Sequence, residues 1–126
     1  MGGHQDNPTY EQVCSGDTGH AETVEVKYDP AEVSYAKLVA LFFALHDPTT
    51  PNQQGPNRGT QYRSVVFSHS ESESEEVRAQ IRSLEEKKAY GGRPIVTQVI
   101  DTAPRFWIAE DYHQDYYKKH RGFCSF

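Results

Sequence analysis

The sequence has only two cysteines, one methionine and one tryptophan, and it contains no long apolar run. Cys14 and Cys124 are too few for a disulfide scaffold and suit a reducing compartment. The longest apolar stretch, Leu38–Leu45, falls far short of the ~18 residues a transmembrane helix needs. An excess of basic charge is also missing: 13 Lys and Arg stand against 18 Asp and Glu, for a net charge of −5. That balance excludes the phosphate-neutralising face of a nucleic-acid binder. Met1-Gly-Gly-His4 has neither the basic start nor the apolar core of a signal peptide, so the expected location is cytoplasmic. There is no closed C-x-x-C or H-x-x-x-H spacing, no serine nucleophile elbow and no phosphate-cradling glycine loop. His46-Asp47 and His113 with Asp111 are too loosely arranged to make a zinc site convincing.

What is present is enough for one compact domain over residues 1–126. Residues 1–20 are rich in glycine and polar residues and read as a long loop. Ala21–Asp29 alternates, with Val24, Val26 and Tyr28 on one face, which predicts a half-buried strand with Glu22 on the apolar side of its entrance. Ser34 is placed to cap a helix running to about His46, its buried stripe formed by Tyr35, Leu38, Leu41, Phe42 and Leu45. A second loop spans Thr49–Gln61, and Tyr62–His69 reads as a strand inside a sheet. The acidic run from Ser70 opens a second helix, with Ser72 and Glu75 as a capping box and Val77, Ile81 and Leu84 buried. Gly91-Gly92 ends it, Pro94–Asp101 is a third strand, and Ala109–Lys119 is a short helix with Tyr112 and Tyr116 one turn apart. The order predicts an α/β or α+β domain.

Three polar groups lie in loops or at strand entrances, where sites tend to form. They are Asn7 through Glu22, Gly55 through Arg63, and Ala109 through Gln114. Each also has a plain structural explanation. Tyr10 and Tyr62 can cap the core, Glu22 can be ion-paired, and His20, His46 and His113 can be satisfied structural histidines. A thiol site using Cys14 beside His20 is a further alternative, because histidine lowers a thiol's pKa.

These segments resemble peptide methionine sulfoxide reductase A. The resemblance rests on Asn7-Pro-Thr-Tyr-Glu-Gln-Val-Cys-Ser-Gly-Asp-Thr-Gly-His-Ala-Glu22, Tyr28-Asp-Pro, Ser34-Tyr35 and His46-Asp-Pro-Thr. It continues through Gln54-Gly, Gly59-Thr-Gln-Tyr-Arg-Ser64, Ala109-Glu-Asp-Tyr-His-Gln114 and Gly122-Phe-Cys124. The matches are collinear and span nearly all of the chain.

The resemblance implies a ferredoxin-like α/β roll and thiol-dependent reduction of methionine S-sulfoxide, in proteins and as the free amino acid, with no cofactor and no metal. A thiolate attacks the sulfoxide sulfur, and a carboxylic acid, matched by Glu22, protonates the oxygen. Burial on the apolar face of a strand would keep that carboxyl protonated. Tyr10 and Tyr62 are implied as hydroxyl donors to the same oxygen. Cys124 is implied as the resolving cysteine, closing a disulfide that thioredoxin reduces.

The chain departs from the family pattern in two places. Asn57 stands where the family has an aspartate, so an amide replaces a charge. The Gly-Cys-Phe-Trp segment that carries the family's nucleophile is absent, and Trp107 follows no cysteine. The expected chain is therefore a methionine sulfoxide reductase A domain lacking its first strand and helix. A pseudoenzyme that binds oxidised methionine without reducing it, and Cys14 as a relocated nucleophile, are the alternatives.

Overall fold

The computed structural model describes residues 1–108. The helix expected over 109–119, with Tyr112, His113 and Tyr116, lies outside the described residues, as does Cys124. The described elements run α1 (Tyr10–Cys14), α2 (Tyr35–Leu45), β1 (Gln53–Gln54), β2 (Asn57–Arg58), a 3₁₀ turn (Thr60–Tyr62), β3 (Val65–Phe67), α3 (Glu71–Glu86) and β4 (Gln98–Ile100). No helix among the described residues is long and apolar enough to cross a membrane.

Both long helices start where their caps dictate. Ser34 Oγ accepts the Lys37 N–H at 3.1 Å, and Ser70 Oγ accepts that of Glu73 at 3.3 Å. The α3 cap is thus Ser70 and not Ser72, and Glu73 Oε1 reaches back to the His69 N–H at 2.8 Å. The buried face of α2 also differs from the expected stripe. Leu41 and Leu45 are 53% and 62% exposed, and Val39 and Phe43 face inward instead. The two aliphatic runs on α2 are nearly interchangeable by sequence, and α3 selects one by packing Val77 against Val39 and Phe43. Tyr35, Phe42, Val66, Ile81, Leu84, Ile95 and Val99 close around that cluster. Gln80 Nε2 donates to the Ala36 carbonyl at 2.8 Å and Tyr90 OH to the Phe43 carbonyl at 2.9 Å, pinning α2 to the α3 side.

β3 and β4 pair in parallel, Val65 with Gln98, Val66 with Val99 and Phe67 with Ile100, joined through α3 as a parallel pair requires. β1 and β2 form a short antiparallel hairpin, Gln53 opposite Arg58 and Gln54 opposite Asn57.

The expected strand over Ala21–Asp29 does not form. The segment carries no strand assignment, and Val24 and Val26 are 80% and 56% exposed. Alternation fits a strand, but a strand exists only with a partner, and none lies beside Val24–Lys27 among the described residues. The start of the segment is held differently. The backbone of Ala21 exchanges hydrogen bonds with Met1, each 2.9 Å long. His20, 2% exposed, accepts the Gly3 N–H on Nδ1 at 3.0 Å, so its proton sits on Nε2 and goes to the Gln5 carbonyl at 2.6 Å. Gly3 is required there, because a Cβ would lie 2.3 Å from the Thr18 carbonyl oxygen.

His46 ties the end of α2 to the sheet. Its Nδ1 bonds the Phe42 carbonyl at 2.6 Å and its Nε2 the Ser64 hydroxyl at 2.7 Å, which continues to Thr97 at 2.7 Å. The carbonyl can only accept, so Nδ1 holds the proton and Nε2 is the acceptor. Burial pushes the His46 pKa below its ordinary 6.5, more than the Phe42 bond and Asp47 push it up. The unfolded chain therefore binds the proton more readily. Stability from this group is complete above pH 6.5 and is lost as pH falls from there through the lowered folded value, at no more than about 1.4 kcal/mol per pH unit. Urea unfolding between pH 8 and pH 5 is expected to show this decline. A His46→Gln variant, less stable overall, is expected to lose the His46 share of the slope; an unchanged slope would contradict the assignment.

Candidate functional site

The site begins at a helix the sequence reading took for loop. Thr9 and Gln12 form a reciprocal capping box: Thr9 Oγ1 accepts the Gln12 N–H at 3.2 Å, and Gln12 Oε1 accepts that of Thr9 at 2.8 Å. Five residues long and with none of them buried, α1 gives no apolar period to read, but it sets Tyr10 and Cys14 one turn apart on a shared face. The Tyr10 hydroxyl hydrogen-bonds the Cys14 side chain.

Tyr62 comes from the opposite side, at the end of the 3₁₀ turn, where its N–H donates to the Gly59 carbonyl at 3.0 Å. Glu22 is tied to the same turn, its N–H donating to the Gln61 carbonyl at 2.8 Å. Arg63 secures the turn from below. Its guanidinium donates to the carbonyls of Thr60 (2.8 Å) and Gly19 (3.1 Å) and to Gln98 Oε1 (3.1 Å).

The electrostatics show that these side chains share one space. Tyr10 is raised well above the usual phenol range, first by its hydrogen bond to Cys14, then by burial and by the nearby Cys14, Glu22 and Tyr62. Tyr62 is raised first by burial, then by Glu22 and Cys14, with the Gln61 side chain pulling it part of the way back. Both phenols therefore remain protonated donors throughout the neutral range.

Three expectations change. Glu22 is exposed, not buried on a strand face. Tyr10 is 40% exposed and Tyr62 half-buried, which makes the cluster an open surface and not an enclosed pocket. Cys14, expected beside His20 if it forms a thiol site, instead lies close enough to both phenols to raise them. It is not paired with His20, whose two ring nitrogens are taken by Gly3 and Gln5.

Asn57 lies exposed on β2 opposite Gln54. Trp107 lies under the Arg105 guanidinium, 4.1 Å from ring centroid to Cζ. Among the described residues, no group of three or more His, Cys, Asp and Glu could hold a metal.

The family model described as "Peptide methionine sulfoxide reductase" matches residues 1–126. The chain belongs to this family. Peptide methionine sulfoxide reductase MsrA of Methanoculleus marisnigri is 52% identical over 122 residues, covering 97% of this chain and 73% of that protein. The protein of the same name from Polynucleobacter asymbioticus is 47% identical over 126 residues, covering 98% and 65%. Among solved structures, methionine sulfoxide reductase A of Corynebacterium diphtheriae superposes with a TM-score of 0.89 at 36% identity, covering 98% of this chain and 63% of that one. Reduced Mxr1 of Saccharomyces cerevisiae gives 0.84 at 40% identity, covering 95% and 66%. The chain thus has the mixed α and β fold of methionine sulfoxide reductase A and spans about two thirds of these solved structures.

Within this methionine sulfoxide reductase family member, the readable signal for the missed α1 was Thr9-x-x-Gln12, a capping pattern without an apolar stripe behind it. The coupling of thiol and phenols gives a direct test. Removing the Cys14 side chain is expected to bring the Tyr10 phenol back toward its ordinary 10, because that hydrogen bond is its largest influence. Glu22→Gln is expected to lower Tyr62, because Glu22 follows only burial there. Titration of ¹³Cζ-tyrosine by NMR reads both; Tyr10 titrating identically in Cys14→Ala and the parent chain would contradict the contact.

Proposed function

We propose that the Tyr10–Cys14–Glu22–Tyr62 cluster binds the sulfoxide oxygen of oxidised methionine, in proteins or as the free S epimer, for thiol-dependent reduction. The observation that supports this reading most is the convergence of two protonated phenols and a carboxyl group on one surface, joined by the Glu22–Gln61 backbone bond. A sulfoxide oxygen is a strong acceptor with partial negative charge, and paired hydroxyl donors match it. In this reading Glu22 delivers the proton that makes the oxygen a competent leaving group, and Asn57 orders a water through its amide.

A thiolate attacks the sulfoxide sulfur, and the S–O bond breaks. The oxygen, protonated, ends on the attacking cysteine as a sulfenic acid, and methionine leaves. Methionine sulfur gains two electrons and the cysteine sulfur loses two. Cys124 then displaces water from the sulfenic acid to form a disulfide, which thioredoxin reduces. Such a cycle suits the cytoplasm, where thiols are kept reduced.

The attacking thiolate is the remaining part. The 126 residues contain no Gly-Cys-Phe-Trp, the segment the resemblance assigns to it. In the proposed division, residues 1–126 form one domain that holds the oxygen-binding half of the site.

Single-turnover reduction of an oxidised-methionine peptide by dithiothreitol tests this. The chain as it stands is expected to release no stoichiometric methionine, and a fusion carrying the Gly-Cys-Phe-Trp segment of a relative is expected to do so. In the fusion, Glu22→Gln is expected to slow the step by about 10²-fold or more, the range for a lost general acid. Stoichiometric methionine from the chain alone, abolished by Cys14→Ser, would make Cys14 the attacker instead.

A further inference from the structure

We infer that Gln61 is a positioning residue for the sulfoxide site, holding α1, the Glu22 segment and Tyr62 in a single arrangement through its side-chain amide and its backbone carbonyl. The inference rests on the sulfoxide reading only for what the arrangement is used for; the geometry stands without it. Gln61 lies directly before Tyr62 in the 3₁₀ turn and is 5% exposed. Its carbonyl accepts the Glu22 N–H at 2.8 Å. Its Nε2 donates to the Cys14 carbonyl at 2.9 Å, across 47 residues of sequence. One residue therefore contacts the last residue of the helix that carries Tyr10, bonds the backbone of the carboxyl group, and precedes the second phenol.

The surroundings are shaped to admit this amide. Gln61 Oε1 sits 2.3 Å from where a Cβ on Gly59 would be, and 3.4 Å from one on Gly16. Gly59, at φ 134°, and Gly16, at φ 81°, also hold backbone conformations that L side chains rarely adopt. Gln61 Oε1 is itself buried with no hydrogen-bond partner among the described residues. A buried acceptor left in that state is costly, and an isosteric methionine would fill the same volume without it. What methionine cannot do is donate to the Cys14 carbonyl. The N–H of the amide, not the bulk of the side chain, is what the position requires.

Positioning and packing are separable by experiment on the full chain. The titratable groups facing one another across the site are Tyr10, Cys14, Glu22 and Tyr62. The Gln61→Met variant keeps the volume and loses the donor. It is expected to retain cooperative unfolding while the Tyr10 ¹³Cζ signal titrates at lower pH than in the parent chain, as α1 parts from Glu22 and Tyr62, and the Tyr62 signal, freed of the Gln61 side chain that pulls it down, shifts away from its parent position. Gln61→Glu supplies a second, internal control: at this buried position its carboxyl is raised above the ordinary range, so that protonated at pH 5 it donates to the Cys14 carbonyl, and ionised at pH 8 it does not. Its tyrosine spectrum is expected to match the parent at pH 5 and to depart from it at pH 8.

A third measurement follows chemical-shift perturbation by N-acetyl-methionine-sulfoxide methyl ester. Affinity is expected to fall about tenfold in Gln61→Met. If the parent chain does not bind this probe while both variants shift the phenols as described, the sulfoxide reading fails and the positioning role stands. Should Gln61→Met not fold, the pH 5 and pH 8 comparison in Gln61→Glu decides. Phenol titrations identical to the parent in the folded variants, with any change confined to the unfolding midpoint, would reduce Gln61 to packing and overturn the inference.

Discussion

A single backbone hydrogen bond, from the Glu22 N–H to the Gln61 carbonyl at 2.8 Å, brings together the two loops on which the site is built. Neither loop has a core of its own. The N-terminal segment is held by Met1 on Ala21 and by His20 on Gly3 and Gln5, and the second loop by a short hairpin and one 3₁₀ turn. Hydrophobic burial is concentrated elsewhere, around Val39, Phe43 and Val77. The candidate surface is therefore organised by polar contacts that are individually worth about 1 kcal/mol and together fix a geometry.

That division of labour explains what was legible in the sequence. α2 and α3 were, because Ser34 and Ser70 sit at the head of segments whose side chains meet one core. Even there, Tyr35 and Phe42 pack on the core as expected while Leu41 and Leu45 face outward, because the run Leu38–Leu45 is apolar all round and its packing against Val77 turns Val39 and Phe43 inward. The strands expected over Tyr62–His69 and Pro94–Asp101 form as the shorter β3 and β4, and their parallel pairing is a finding of the structure, in keeping with the helix between them. The segment from Ala21 to Asp29 was misread because alternation reports what a strand would bury, not whether a neighbour is there to bury it.

The candidate site could be named residue by residue from the motifs, but its form could not be read from them. Tyr10, Glu22 and Tyr62 share one space, as their collinear motifs imply, but on an open surface where Glu22 is exposed. The sequence could not announce Gln61, whose role depends on a 2.9 Å contact with a carbonyl 47 residues away. It could not announce the contact of Cys14 with both phenols either, since α1 presents no buried residue from which to read a helix.

The chain crossover between β3 and β4 also governs the order in which the fold assembles. Ser64 and Thr97, hydrogen-bonded at 2.7 Å beside His46, are 33 residues apart in sequence. Closing a flexible loop of that size costs on the order of 3 kcal/mol in chain entropy before any strand pairing repays it. Sixteen of the intervening residues belong to α3, whose Ser70 cap and acidic first turn favour a helix locally. A helix formed early shortens the span left to close, which makes the Ser70 cap matter to closing the sheet as well as to the helix itself.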